Sequence, residues 1–362
     1  MTPAPLKIGV IGAGGISNSH LPHLLALGAD VVVYSVDGAE ELVARHGGTV
    51  AGSLEELLAA VDVVDVVTPT YTHHELVRRA LEAGKDVISE KPLARTDAEA
   101  ADLQELAERL GRHLYPAHVV RFFPEYVALL EAVRSGSLGE LAVLRFSRSG
   151  AFPTRTAWFA DRALSGGIIM DQMIHDIDIA RWLAGEVTRV SAVSTRTGGA
   201  DHPVEAAHVL LTHASGAISH VAGLWGPAHV EFTTEYSVTG TLGSLEHSSA
   251  AERNYHTNLA TTTGGGGLLP DVDPAESPYF LELREFVAAI QGRQTPRVVA
   301  ADGVEAVRLA NAALLSLETG QPVDLAPSAG RGAHAGPTSA ARPGTASSDS
   351  VGAAPASTAE GV

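Results

Sequence analysis

Three side chains in this sequence could transfer a proton and stabilise charge together. Asp171 and His175 stand four residues apart, which puts them on one face of a helix. A histidine held by a carboxylate is a good general base near neutral pH. Lys91, in Glu90-Lys91-Pro92 after a predicted strand, could stabilise a developing alkoxide. Each residue also has an ordinary explanation: a solvated lysine, a helix-start aspartate, and a histidine at the edge of the core.

The same residues could instead bind a metal ion, but the spacing does not favour this. Asp176 and Asp178 are close to His175 along the chain, yet they point to other faces of a helix. A third ligand at a recognisable spacing is missing. The chain also has no cysteine, which excludes disulfides, zinc–thiolate sites and thiol nucleophiles. We therefore predict no metal site.

A glycine-rich segment near the N-terminus predicts a dinucleotide-binding loop. The segment Gly12–Ser17 (GAGGIS) follows a predicted strand and opens a predicted helix, as a phosphate-binding turn requires. Its first glycine allows the tight turn, and the next lets the backbone approach a pyrophosphate, which the N–H groups at the helix start would bind. Ser17 replaces the third glycine, and a purely structural turn is the alternative. The predicted cofactor-binding residues of this loop are Gly12, Gly14, Gly15 and Ile16.

The end of the second predicted strand bears on the choice between NAD and NADP. Asp37 lies 20 residues after Ser17, the distance expected of an acid that binds the ribose hydroxyls of NAD. If Ser35 is instead the strand-end residue, its hydroxyl would tolerate the 2′-phosphate of NADP. Asp37 could equally cap the following helix. The cofactor is therefore expected to be NAD or NADP.

The order of elements predicts an α/β protein. Strands and helices alternate through residues 1–117, which is typical of a doubly wound parallel sheet. Residues 118–325 contain fewer helices and several strands joined by short turns, which favours an α+β domain with an open, mainly antiparallel sheet. Residues 326–362 are almost only Ala, Gly, Ser, Thr and Pro, so we predict a disordered tail.

Charge and hydropathy exclude several kinds of partner. The formal net charge is −17, from 25 basic and 42 acidic residues, and no cluster of Lys and Arg offers a phosphate-binding surface. Nucleic acids and anionic membranes are not expected as partners. No apolar run approaches the ~18 residues of a membrane span, and the N-terminus lacks the order of a signal peptide. We expect a cytoplasmic protein.

Several motifs in order resemble the Gfo/Idh/MocA oxidoreductases over about residues 6–325. They are the glycine loop, Thr68-Pro69-Thr70 with His73, the segment 83–87 before Glu90-Lys91-Pro92-Leu93, and Gly166-Gly167 before Asp171, His175, Asp176 and Asp178. The resemblance implies an N-terminal Rossmann domain, NAD or NADP as cofactor, and a C-terminal α+β domain. The sheet of that second domain often forms the interface of a homo-oligomer, here a dimer or tetramer.

The resemblance also implies residue roles. The catalytic set would be Lys91, Asp171 and His175. Arg121 matches the start of the second domain, and it is either a cleft residue or a structural ion-pair partner. His118 and Trp158 are further candidates for substrate contact, with simple packing as the alternative for Trp158. The positions that would line the cofactor site are Thr68, Pro69, His73, Glu90, Lys91 and Pro92.

The expected reaction moves a hydride between the nicotinamide and a hydroxyl or keto group of a sugar, inositol or related polyol. His175 would take the hydroxyl proton, Lys91 would polarise the oxygen, and Asp171 would orient His175 or bind a substrate hydroxyl. Two alternatives stay open: an NAD-dependent glycosidase of the same fold, and a non-catalytic dinucleotide-sensing protein.

Overall fold

The computed structural model describes residues 5–154, 156–199, 203–250, 256–259 and 277–326. The predicted disordered tail lies outside these residues, apart from Ala326. Within them, no helix combines the length and apolar character needed to span a membrane.

The N-terminal part forms a parallel sheet of six strands. They are β1 (Lys7–Ile11), β2 (Asp30–Tyr34), β3 (Thr49–Val50), β4 (Val63–Val66), β5 (Asp86–Glu90) and β6 (Leu114–Ala117). Their order is β3-β2-β1-β4-β5-β6, and every neighbouring pair is parallel. This is the strand order of the Rossmann fold, in which ligands bind where the order reverses, between β1 and β4. The predicted doubly wound sheet is confirmed.

Helices cover both faces of this sheet. They are α1 (Ser17–Ala26), α2 (Ala39–His46), α3 (Leu54–Ala60), α4 (His73–Glu82) and α5 (Asp97–Leu110). Alternate residues of a strand point to opposite faces. In β4, Val63 therefore packs in the cluster that contains Leu21 of α1, whereas Val64 packs in the cluster that contains Leu57 of α3. Two covered faces explain why these strands are continuously apolar.

The second part of the chain is built on a larger sheet. Its strands are β7 (Leu141–Ala151), β8 (Val187–Thr197), β9 (Val204–His213), β10 (Ile218–Gly226), β11 (Thr233–Gly240), β12 (Gly243–Ser248), β13 (His256–Leu259) and β14 (Val323–Asp324). The order is β13-β12-β11-β7-β10-β9-β8-β14. All pairs are antiparallel except β7 with β10. The prediction of a mainly antiparallel sheet is confirmed, and the exception joins two strands that no short turn connects.

One face of the larger sheet is covered and the other is open. The helices of this part are α6 (Pro124–Arg134), α7 (Arg162–Ser165), α8 (Ile174–Ala184), α9 (Pro278–Ile290) and α10 (Ala300–Thr319). Helices α8 and α10 pack on the inner face, where Val209 and Leu211 of β9 are fully buried. On the outer face, Leu210 of the same strand is 47% exposed and Val193 of β8 is 66% exposed.

Helix α9 returns to the first sheet. Leu283 and Phe286 of α9 pack in the same core cluster as Ile8 and Leu21. The ring of Phe286 stacks on Tyr115 of β6 at a centroid distance of 5.1 Å. A late segment of the chain thus completes the core around the first sheet. The division of the chain after residue 117 stays a prediction.

Candidate active site

The glycine loop follows β1 and leaves room for an anion. Gly12 has φ of +115°, and a Cβ there would lie 2.7 Å from the carbonyl oxygen of Val67, so a side chain does not fit. A Cβ at Gly14 would meet no atom within 4 Å. Gly14 and Gly15 are exposed, and no side chain caps the start of α1. An open glycine cradle at a helix start suits the pyrophosphate of a dinucleotide.

The side chain of Ser17 lies inside the glycine loop and binds its backbone. Its Oγ donates a hydrogen bond to the carbonyl oxygen of Gly12 at 3.0 Å, and its side chain is fully buried. Nδ2 of Asn18 donates to the carbonyl oxygen of Gly14 at 3.2 Å. The serine at the third glycine position therefore stabilises the turn and leaves its outer side free of side chains.

Ser35 and Asp37 lie in the turn after β2, next to the glycine loop. Gly38, in the left-handed region at φ of +71°, is the N-cap of α2, and a Cβ there would lie 3.5 Å from Cβ of Ala13. No side chain caps α2, so the interpretation of Asp37 as a helix cap is wrong. Asp37 is exposed, and within the described ranges no hydrogen bond or ion pair engages its carboxylate. Both residues stay candidates for contact with the adenosine ribose.

Lys91 reaches across the cleft between the two sheets. It follows β5, and its Nζ donates a hydrogen bond to the backbone oxygen of Asp171 at 2.6 Å. The same Nζ lies 3.5 Å from Oδ1 of Asp171, and the two side chains are 15% and 20% exposed. Lys91 is therefore not a solvated surface lysine.

A π-helical turn at Ile169–Met173 carries Asp171, and α8 begins only at Ile174. The sequence predicts a helix that contains Asp171 and His175; the helical segment is present, but Asp171 lies in its π turn and not in α8. A π turn adds a residue to the hydrogen-bonded ring, which changes the directions of side chains four residues apart. No hydrogen bond joins Asp171 to His175 in the part of the chain that the structure describes. Asp171 engages Lys91, and the expectation that it orients His175 is corrected accordingly.

Two glycines lead into this turn. Gly166 and Gly167 have φ of +76° and +68°. A Cβ at Gly167 would lie 2.7 Å from Oε1 of Glu205, a buried carboxylate of β9. That oxygen accepts the backbone N–H of Ile168 at 3.3 Å and a hydrogen bond from Arg162 at 3.0 Å. Glu205 thus fixes the loop that precedes Asp171, and the loop can lie this close only because a side chain is missing.

His175 is a partly buried imidazole with a lowered pKa. Its Nδ1 is buried and has no hydrogen-bond partner among the described residues. Burial, followed by the positive charges of Lys91 and Arg148 and by the nearby His118, holds the pKa of His175 well below its ordinary value. At neutral pH the ring is therefore unprotonated and able to accept a proton.

His118 follows β6 and is almost fully buried. Neither ring nitrogen makes a hydrogen bond within the described residues, although Nδ1 lies 3.6 Å from Oδ2 of Asp178. Burial lowers the pKa of His118, with Asp178 opposing and Arg121 adding to the effect. The charge of His118 also contributes to the lowered pKa of His175.

Arg121 is an ion-pair partner inside the protein and not a substrate ligand. It is 1% exposed and donates to both carboxylate oxygens of Asp178, at 2.8 and 2.6 Å. Its remaining Nη1 donates to the backbone oxygen of Arg297 at 3.0 Å and lies 3.2 Å from Asp302. Every nitrogen of the guanidinium is thus engaged, which corrects its assignment to the substrate site.

The two acids considered as metal ligands are each paired with an arginine. Asp178 pairs with Arg121, and Asp176 accepts two hydrogen bonds from Arg148, at 2.9 and 2.8 Å. Among the residues that the structure describes, no three His, Asp or Glu side chains are grouped as metal ligands. Both carboxylates therefore serve buried ion pairs.

His73 connects two loops of the cofactor side. Its Nδ1 is 2.7 Å from the carbonyl oxygen of Pro92, and its Nε2 is 2.8 Å from that of Thr68. With both ring nitrogens occupied by the backbone, His73 holds the two loops in place. Its predicted direct contact with a cofactor is corrected to this indirect role.

Trp158 and Tyr71 form an aromatic pair at the border of the cleft, and Tyr71 was not singled out from the sequence. Trp158 stacks on Phe159 at 3.9 Å, and its ring meets the edge of Tyr71 at 6.2 Å. Tyr71 is 48% exposed and lies in the 3₁₀ turn Thr70–Thr72, just after Thr68. An aromatic side chain within a predicted cofactor loop was the available signal. Trp158 therefore contacts a loop of the first domain from the second.

Comparisons with known proteins agree with this geometry. Residues 6–118 match the model of the oxidoreductase family with an NAD-binding Rossmann fold. Residues 126–246 match the GFO/IDH/MocA C-terminal domain.

Similar proteins span almost the whole chain. D-xylose 1-dehydrogenase (NADP(+)) 2 of Haloferax volcanii is 30% identical over 88% of this chain and 100% of its own length. The scyllo-inositol 2-dehydrogenase (NAD(+)) of Bacillus subtilis is 28% identical over 88% of this chain and 96% of its own length. The crystal structure of GenD2 from gentamicin A biosynthesis, in complex with NAD, has a TM-score of 0.77 at 25% identity and covers 90% of this chain and 98% of its own. The expected family is thereby confirmed: the chain belongs to the Gfo/Idh/MocA family of NAD(P)-dependent oxidoreductases.

Proposed function

We propose that this protein oxidises a CH–OH group of a sugar, inositol or related polyol, or reduces the corresponding ketone, in the cleft between its two sheets. The observation that carries the proposal is the contact of Lys91 with Asp171 across that cleft, together with the partly buried ring of His175, whose pKa is lowered by burial and by the charge of Lys91. An ammonium group and a proton acceptor at one point are what alcohol oxidation requires.

The cofactor fits the residues present. The cradle at Gly12 and Gly14 would hold the pyrophosphate, and the loops after β4 and β5 would line the nicotinamide half with Thr68, Pro69, Glu90 and Pro92. When bound, the oxidised nicotinamide supplies the acceptor for a hydride from the substrate carbon. Ser35 and Asp37 stand where the 2′ position of the adenosine ribose would lie, so they would decide between NAD and NADP.

The chain's own residues would handle the proton and the oxygen. As the C–H hydride leaves and the C=O bond forms, the hydroxyl proton passes to the neutral imidazole of His175. Lys91 stabilises the developing charge on the oxygen with the N–H donors that its contact with Asp171 leaves free. Asp171 holds this ammonium in the cleft. In the reverse direction the protonated His175 returns the proton.

A substrate with several hydroxyl groups suits the remaining surface of the cleft. Trp158 with Tyr71 offers aromatic faces at the border, and Lys91 and Asp171 offer polar groups. His118, by contrast, is 1% exposed and would contact a substrate only if its surroundings opened. The relatives named above act on scyllo-inositol and D-xylose. A ring with several hydroxyl groups would satisfy both the polar and the aromatic groups.

We also propose that the open face of the larger sheet forms the interface of a homo-oligomer. Val193, Leu210 and Ile218 expose apolar side chains on this face, at 66%, 47% and 48%. A second copy would cover them. Sedimentation should therefore give a dimer or tetramer, and Leu210→Glu should shift it toward the monomer.

A substrate screen tests the reaction. The purified protein is incubated with myo-inositol, scyllo-inositol, D-xylose and other polyols, each with NAD and with NADP, and absorbance of the reduced nicotinamide is followed. We expect steady net reduction with at least one pair and loss of that signal in Lys91→Met. Release of a free sugar without net reduction would indicate the glycosidase alternative. Turnover that survives in Lys91→Met would overturn the proposed site.

A further inference from the structure

A histidine that the proposed reaction does not use is fully buried between α1 and the first sheet. His20 belongs to α1, and its ring lies between two carboxylates. Its Nδ1 is 2.9 Å from Oδ2 of Asp65 on β4, and its Nε2 is 3.2 Å from Oε1 of Glu90 at the end of β5. Both ring nitrogens can donate to these oxygens only if the ring is an imidazolium.

The surrounding charges favour the imidazolium. Burial by itself would lower the pKa of His20, but Asp65 and Glu90 outweigh burial and hold that pKa well above its ordinary value. Burial would also raise the pKa of Glu90, whereas His20 and Lys91 bring it below its ordinary range. His20 is thus a cation shared by two buried carboxylates.

Helix α9 adds a fourth ionisable group. Glu282 is fully buried, and within the described part of the chain both of its carboxyl oxygens are without a hydrogen-bond partner. Burial and then the charges of Glu90 and Asp65 raise the pKa of Glu282 well above its ordinary value. Its neutral, protonated form is thereby favoured. Tyr279, whose ring lies 6.1 Å from that of His20, is neutral as well, because burial raises its pKa to about 12. Neither group competes for the two contacts of His20.

The contact with Glu90 connects His20 to the reacting lysine. The second oxygen of Glu90, Oε2, accepts the backbone N–H of Lys91 at 3.1 Å. One carboxylate is therefore held by His20 on one side and holds the main chain of Lys91 on the other. The side chain of Lys91 then spans the cleft to Asp171.

We propose that His20 is a positioning residue for the reaction, which holds Glu90 so that Glu90 fixes the backbone from which the Lys91 ammonium reaches the substrate oxygen. The inference rests on the proposed function, in which Lys91 stabilises that oxygen. A shift of about 1 Å at a reacting group can cost about 10²-fold in rate. A buried residue two contacts away can therefore control turnover without touching the substrate.

Two substitutions of the same residue separate the two contacts. In His20→Asn the amide nitrogen replaces Nδ1, so the contact with Asp65 is kept and the contact with Glu90 is lost. In His20→Gln the amide nitrogen replaces Nε2, so the contact with Glu90 is kept and the contact with Asp65 is lost. Both variants remove the same charge. A lower kcat in His20→Asn than in His20→Gln therefore reports on the contact with Glu90, whereas the reverse order would assign the effect to Asp65 and overturn the proposal.

The first readout is kcat, measured per cofactor-binding site with the best substrate of the screen. We expect His20→Asn to lower kcat by about 10- to 100-fold, with the KM of the polyol nearly unchanged. His20→Gln should lose at least tenfold less. A purely structural histidine would lower the melting temperature of both variants and leave their kcat values equal, and equal values would overturn the proposal.

The second readout needs no turnover. The chain has only three lysines, Lys7, Lys85 and Lys91, so reductive ¹³C-methylation gives three side-chain signals, of which Lys91→Arg identifies one. The signal of Lys91 should move in His20→Asn and stay close to its parent position in His20→Gln, with Lys85 unmoved in both. If His20→Asn does not fold, Glu90→Gln breaks the same link and should move the same signal. A Lys91 signal that keeps its parent position in both His20→Asn and Glu90→Gln would contradict the inference.

Failure of this inference and failure of the proposed function are distinguishable. Normal turnover in Lys91→Met would remove the proposed role of the lysine. Lost turnover in Lys91→Met together with equal behaviour of the two His20 variants would overturn only the positioning role.

Discussion

The two sides of the cleft are built from different groups. On the cofactor side, Gly12 and Gly14 present backbone and empty space, and the hydroxyl of Ser17 is turned inward. On the substrate side, the groups are ionisable side chains with little exposure, above all Lys91 and His175. Backbone amides do not titrate, so the first side should respond to changes of shape. The second should respond to changes of charge and pH.

The largest expected effect lies on the substrate side. His175→Ala should lower kcat by about 10²–10⁴-fold, because one general base is removed. In the parent, the oxidation rate should rise with pH as His175 loses its proton and reach its plateau below neutral pH, since burial and neighbouring positive charges lower the pKa of His175. The rise should vanish in the variant, while the affinity for NADH, measured by fluorescence, hardly changes. A variant with the parent's rate and pH profile would make His175 structural.

A change of buried charge away from the chemistry should act on stability instead. Arg121→Met would leave Asp178 and Asp302 buried without their shared cation. We expect the free energy of unfolding in urea to fall by about 3–5 kcal/mol. Arg189→Met, which removes an exposed ion pair with Asp324, is the control and should leave stability almost unchanged. Equal losses of unfolding free energy in the two variants would mean that burial does not determine how much these ion pairs contribute to stability.

The cofactor side should respond to shape alone. Gly14→Val adds a branched side chain where a Cβ meets nothing, so the fold should persist by circular dichroism. The affinity for NADH should fall by about 10- to 100-fold, because the pyrophosphate needs that space. Gly12→Ala should instead lower the melting temperature, since its Cβ would meet the carbonyl of Val67. Unchanged NADH binding in Gly14→Val would contradict the loop assignment.

The smallest effect concerns stability against acid. The pKa of His175 is lowered by burial, so the folded protein binds a proton there less readily than the unfolded chain. As pH falls below about 6.5, protonation of His175 in the unfolded chain should lower the free energy of unfolding by up to ~1.4 kcal/mol per pH unit. His175→Gln should therefore lose less stability than the parent between pH 7 and pH 5. His20, whose pKa is raised, has the opposite sign: its contribution is complete below about pH 6.5 and is lost as pH rises through its folded-state pKa. A parallel loss of stability in the parent and His175→Gln would contradict the depressed pKa.

The elements that depend on local sequence could be predicted. The glycine loop, the strand before it and the helix after it follow from conformational preferences within a few residues, and so does the start of α5 at Thr96, with its capping box. The apolar runs of the first sheet are equally local, because both faces of each strand are covered.

The failures involve contacts that sequence spacing does not report. The π turn at Ile169–Met173 depends on a hydrogen-bond register that the apolar pattern does not reveal. From the sequence, Arg121 could be either a cleft residue or an ion-pair partner. Only the folded structure shows that Asp302, far along the chain, lies beside it. Asp65, an acid inside an otherwise apolar strand, was a visible sign of a buried partner, but only the packing of α1 identifies that partner as His20.

The return of α9 to the first sheet has a consequence for synthesis on the ribosome. Phe286 and Leu283 fill the core beside Ile8 and Leu21, so the cofactor-binding half cannot close its apolar interior when residue 117 leaves the ribosome. It must wait for about 170 further residues, or roughly 8 to 35 s at elongation rates of ~5–20 residues per second. During that interval the nascent sheet exposes an apolar face. The order of translation therefore delays completion of the N-terminal core until α9 has been made, and a truncated product that ends before α9 should be a substrate for chaperones and proteases.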